Sequence, residues 1–143
     1  MKRKNLQKSA PLSLLILMLV FTFSCKKKAP EPDEKTIQQG KLSATWSVNE
    51  VENDGSDVTD QFTGFTLTIN QLNYSTQNGG NPWPSSGTYD FKGTDLFTLL
   101  RSDGTEIKIE ELTSTTLVLS FNYTSVNGRT LGVTGDFTFS LTK

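Results

Sequence analysis

Cys25 is the only thiol in the chain, and its setting gives it a chemistry. It follows Met1-Lys-Arg-Lys4, Lys8 and the apolar run Leu12–Phe23, with Ser24 immediately before it. A basic start and an h-region of that length fit a secretory signal, and the run is too short to span a bilayer, which takes ~20 apolar residues. Cys25 sits at the cleavage point of such a signal, where a thiol would be lipidated. A second group is the acidic stretch Glu50–Asp60, where Glu50, Glu52 and Asp54 stand at alternate positions before Gly55 much as in a calcium loop. Gln61 stands where the bidentate glutamate should close such a loop, and the flanking helices are missing, so a solvated acidic turn with Asp-Gly geometry is expected. A third is Trp83, held between Pro82 and Pro84, which can stack on a sugar or an apolar ligand, or else plug the end of a core. The fourth is Arg129, placed to pair with an anionic ligand or with the acidic loop. Phe62 and Tyr123 complete the candidate ligand contacts.

Catalysis finds little support in these groups. Serines and threonines abound, but there is no histidine to activate them. Glu110 and Glu111 fall on opposite faces of an extended chain and cannot act on one substrate together. Asp54, Asp57 and Asp60 have no apolar shelter to raise a pKa. A non-enzymatic protein without cofactor or metal is expected.

The N-terminal segment resembles a bacterial lipoprotein precursor of the looser kind found in the Bacteroidota envelope. Thr22 stands where the family prefers leucine, three residues before the cysteine, and Ser24 suits the position before it. The resemblance implies a lipid anchor at Cys25 and an outer-membrane lipoprotein, on the periplasmic face or at the cell surface. An ordinary secreted protein with a stray thiol and an uncleaved anchor are the alternatives.

Residues 1–24 therefore read as signal peptide, 25–39 as lipidated cysteine and linker, and 40–143 as one domain. Roughly 100 residues suffice for a single core without metals or bridges. Lys26–Gln39 has two prolines, mixed charge and almost no apolar content, which predicts a disordered tether reaching up to ~40 Å. From Gly40 onward six basic residues face twelve acidic ones, a net of −6. That balance leaves no electrostatic footprint for nucleic acid.

Eight runs then alternate with period two: around Leu42–Val48, Phe65–Ile69, Asn73–Thr76, Gly87–Phe91, Leu96–Leu100, Glu106–Glu110, Thr116–Tyr123 and Asp136–Thr142. Turn signals at Asn70-Gln71, Lys92-Gly93 and Asp103-Gly104 separate several of them. The pattern predicts an all-β antiparallel meander of eight strands, closed into a barrel or folded as a two-sheet sandwich. Its inward set is bulky (Trp46, Phe65, Leu67, Tyr89, Phe91, Leu119, Phe121, Phe137, Phe139, Leu141), with room left only at Ala44, Gly87 and Gly135. A mostly filled barrel with a shallow mouth is expected. In a meander the three long connections, Glu52–Gly64, Gln77–Ser86 and Thr124–Thr134, share one end, away from the tether.

Leu42-Ser-Ala-Thr-Trp46, Phe65-Thr-Leu-Thr-Ile69, Trp83-Pro-Ser-Ser-Gly-Thr-Tyr-Asp-Phe91, Thr116–Phe121 and Asp136–Lys143 together resemble the lipocalin-like lipoproteins of Bacteroidota. Asn70–Asn73 departs from the usual Asp-Gly turn between the second and third strands. The resemblance implies a calycin-type barrel and says little about ligand. Two functions are expected from this: a tethered domain taking a small apolar or glycan ligand at its loop-rich mouth, or a structural or protein-interaction module of the envelope.

Overall fold

Along each main strand a buried side chain is followed by a more exposed one, and the sheet that this alternation builds closes on itself. The computed structural model describes residues 31–124 and 134–143; the signal segment 1–24, Cys25 and Arg129 lie outside the described residues. A helix, α1 (Glu34–Leu42), precedes nine strands: β1 (Thr45–Asn53), β2 (Ser56–Asp57), β3 (Thr66–Asn70), β4 (Asn73–Gln77), β5 (Ser86–Lys92), β6 (Asp95–Arg101), β7 (Glu106–Leu112), β8 (Thr116–Tyr123) and β9 (Gly135–Thr142). From β3 to β9 each strand pairs antiparallel with the next in sequence, β1 pairs with β3, and β1 also pairs with β9. The result is a closed, up-and-down, lipocalin-like barrel of eight strands. A sandwich would break this hydrogen-bonded ring between its sheets, and no such break occurs.

The extra strand β2 comes from the acidic turn. Asp54 and Gly55 both take positive φ, 50° and 75°, and Asn53 pairs with Ser56 across them. That is the backbone of a two-residue hairpin, for which Asp-Gly is a favoured sequence. A 3₁₀ turn at Thr59–Phe62 follows and carries Phe62 into the core. Register shifts at Val48/Glu50, Phe91/Lys92 and Ile109/Glu111 mark bulges that bend the sheet. The last of these leaves Glu110 and Glu111 both exposed, rather than on opposite faces as uninterrupted alternation would place them.

All ten residues of the expected inward set are buried. The room expected at the small residues is taken up from their neighbours. A Cβ on Gly87 would lie 2.6 Å from the Tyr74 hydroxyl, and one on Gly135 only 2.3 Å from Asn53 Oδ1. The barrel is packed through.

The expected disordered linker ends earlier than Gln39, because the chain is helical from Glu34 onward. Composition alone could not offset the entropy of ordering these residues; tertiary contacts do. Asp33 Oδ1 accepts the Thr36 N–H at 2.7 Å and caps the helix. Leu42 is fully buried, worth about 1.5–3 kcal/mol, and its carbonyl accepts the Trp46 Nε1–H at 2.9 Å. Gln38 Nε2 donates to the Leu96 carbonyl, and Lys35 pairs with Asp90 at 2.7 Å. These bonds set α1 at the end of the barrel that carries the tight turns. Among the described residues no helix is long and apolar enough to cross a membrane.

Candidate functional site

Alternate connections of an up-and-down barrel emerge together, so the β1–β3, β4–β5, β6–β7 and β8–β9 connections share one mouth. The three long ones are among them, as expected, although residues 125–133 of the last lie outside the described residues. Its anchors, Tyr123 and Gly135, pair across β8 and β9, with Tyr123 half-buried.

Trp83 closes this mouth from within. It is only 4% exposed, and its ring lies against Phe65, Tyr74, Phe121 and Phe139, with centroids 5.3–6.0 Å away. Gly79 lets the loop turn in, since a Cβ there would come within 2.6 Å of Trp83 Cβ. Phe62 is buried beside it, edge-on to Phe65, Phe137 and Phe139. The two aromatic candidates are thus brought into one core cluster, and the plugging role of Trp83 accounts for its surroundings. The void left inside, lined by Leu67, Ile69, Tyr74, Trp83 and Leu119 among others, measures about 10 Å³. That is room for about one water molecule, against ~300 Å³ or more for a small-molecule pocket. Trp83 Nε1 is buried there and meets no acceptor among the described residues.

Over the plug lies a cation that the sequence did not single out. Arg101, 2% exposed, ends β6 one step of two beyond inward-facing Leu99. Its guanidinium stands 5.3 Å over the Trp83 ring and 6.0 Å over Phe121. Nη1 donates to the Pro82 carbonyl at 2.8 Å, Nε donates to Asp103 Oδ1 at 3.1 Å, and Nη2 donates to Asp103 Oδ2. The available signal was the period-two step from Leu99 followed by the Asp103-Gly104 turn, which carries the countercharge back over Arg101. Burial works to raise the Asp103 carboxyl, but bonds from Arg101 and the Thr105 N–H outweigh it and hold it at about 2. Among the described cations Arg101 is the one that sits at this mouth; Arg129 lies outside the described residues.

Two carboxylates of the acidic loop have structural roles. Asp57 Oδ1 accepts from the hydroxyl and N–H of Thr59, at 2.6 and 2.9 Å, which lowers its pKa. Asp54 Oδ1 accepts the Asp136 N–H at 2.8 Å, tying this loop to β9. Among the described residues no group of three or more His, Cys, Asp or Glu side chains is placed to hold a metal.

The large concavities are on the outside. A groove of about 540 Å³ runs over the outer face of β6–β9, lined by Thr98, Lys108, Ser120, Asn122, Asp136 and Thr138 among others. Lys92 bridges to Glu106 at its edge, 2.7 Å apart.

Fold and mouth together define a lipocalin-like barrel with a filled interior. No protein-family model, curated protein or solved structure matches the chain.

Proposed function

We propose that this chain is an envelope lipoprotein, anchored through acylated Cys25, whose barrel is a rigid module that recognises an envelope protein partner on its surface. The packed interior carries this reading: both ends are stoppered, by α1 and by Trp83, and the void between them holds no ligand-sized space. The basic start, short apolar run and lone thiol support the anchor. Fractionation of expressing cells tests it, with Cys25→Ser expected to move the protein from the membrane to the soluble fraction. Native mass spectrometry of the gently purified Cys25→Ser chain tests the barrel. Its own mass is expected; a retained molecule of ligand size would point to a carrier instead.

A second reading is favoured by the outer groove, whose volume lies within the range of small-molecule sites. Its hydroxyl, amide and charged lining suits a polar ligand of the glycan class better than an apolar one.

A further inference from the structure

The pole opposite the mouth is where the chain enters the barrel, and it holds the two most exposed large apolar side chains among the described residues. Phe97, near the start of β6, is 62% exposed, and Ile37 on α1 is 46% exposed. The bond from Gln38 Nε2 to the Leu96 carbonyl joins the residues beside them, which keeps both at this pole. Lys41 and Lys143 rim a hollow there, and neither pairs with a carboxylate among the described residues. Acids share this pole and keep their charge: Asp33 caps α1, Asp90 pairs with Lys35, Asp95 accepts the Phe97 N–H and Glu110 accepts from Ser120. With Glu34 and Glu111 these acids outnumber Lys35, Lys41, Lys92 and Lys143, so the pole is mildly acidic. The mouth is more acidic. Glu52, Asp54, Asp57, Asp60 and Asp136 gather there, and Arg101 is buried and paired.

Covalent geometry limits how far this pole can stand from an anchor. Asp33 is eight residues after Cys25, so the chain between them reaches about 29 Å at most, whatever its conformation. Helix α1 takes the rest of the expected tether out of play.

We propose that this pole rests on the lipid surface, with Phe97 and Ile37 entering the headgroup region and the acidic mouth held outward. The inference rests on acylation of Cys25. Anionic lipids repel the mouth more than this pole, where Lys35, Lys41, Lys92 and Lys143 offset most of the acids.

The test uses the protein purified from membranes of expressing cells, in phosphatidylethanolamine–phosphatidylglycerol vesicles with and without brominated acyl chains. Phe97→Trp and, at the mouth, Gln61→Trp supply the reporters over buried Trp46 and Trp83. The expected result is bromine quenching and a blue shift for Phe97→Trp, with Gln61→Trp unaffected. If the protein floats with the vesicles while Phe97→Trp emits as in solution, or both variants are quenched alike, the orientation is wrong and the pole is free for a protein partner. Failure to float at all would overturn the acylation reading, and this inference with it.

Discussion

The guanidinium of Arg101 lies 5.3 Å over the indole of Trp83 and donates at 2.8 Å to the carbonyl of Pro82, the residue before it. One side chain therefore holds both the ring that stoppers the barrel and the backbone that delivers it. Hydrogen bonds to a charged group contribute about 1.5–3 kcal/mol, and a desolvated cation–π contact adds to that. Arg101→Ala should destabilise the domain by about 2–4 kcal/mol and red-shift its tryptophan emission. Arg101→Lys should recover little, because an ammonium cannot bond Asp103 and Pro82 in one plane. Urea unfolding followed by fluorescence measures both.

Trp83→Ala should behave as a core truncation, costing about 3–5 kcal/mol. The space it leaves is lined by Phe65, Phe121, Phe139 and Leu119, so the variant should take up a small apolar guest such as benzene while the parent does not. Guest-induced shifts of aromatic and methyl NMR signals would show it. Wild-type stability in Trp83→Ala would mean that the ring is not part of the core.

Two groups give the stability a pH dependence of opposite sense. Asp103 sits at about 2, below its unfolded value of 3.8, so its contribution is present above pH 4 and lost as the pH falls from about 4 to 2. The side chain is 44% exposed, and with screening the loss is of the order of 1 kcal/mol. Tyr89 is pushed up to about 12 by burial and by nearby Asp90, and its hydroxyl donates to the Gln71 carbonyl at 2.7 Å. Its contribution is therefore present below pH 10 and lost between about 10 and 12. Melting temperatures across both ranges should show the two slopes, with Asp103→Asn flattening the acid one and Tyr89→Phe the alkaline one.

Gly135 opens β9 at φ 144°, and a Cβ there would meet Asn53 Oδ1 at 2.3 Å and Asp54 Oδ2 at 2.6 Å. Gly135→Ala should cost about 1–3 kcal/mol. In a domain of this size each kcal/mol lowers the melting temperature by about 4–8 °C, readily seen by calorimetry. An unchanged melting temperature would mean that the junction between the acidic hairpin and β9 is loose.

The strands were legible because half-buried strands write their geometry into the sequence every second residue, as Leu117, Leu119 and Phe121 do against Val118 and Ser120. The shared mouth followed from connectivity alone. Helix α1 left almost no such trace: of Glu34–Leu42 only Ile37 and Leu42 are apolar aliphatics, and Gly40 interrupts it. Its stability comes from Trp46 just beyond it and from Leu96 and Asp90, residues far along the chain whose approach no local pattern announces. Arg101 is hard to read from sequence for a related reason. A basic residue after Leu96–Leu100 looks like a strand end in solvent, and only the fold brings Asp103, Pro82 and Trp83 around it.

The closed interior is tested most directly by titrating the Cys25→Ser chain with a fluorescent fatty-acid probe. A packed barrel predicts no saturable binding and no shift in probe emission. Saturable uptake of one probe per chain at micromolar concentration, with Trp83 becoming accessible to acrylamide as the probe enters, would show that the plug opens and that the barrel is a carrier after all.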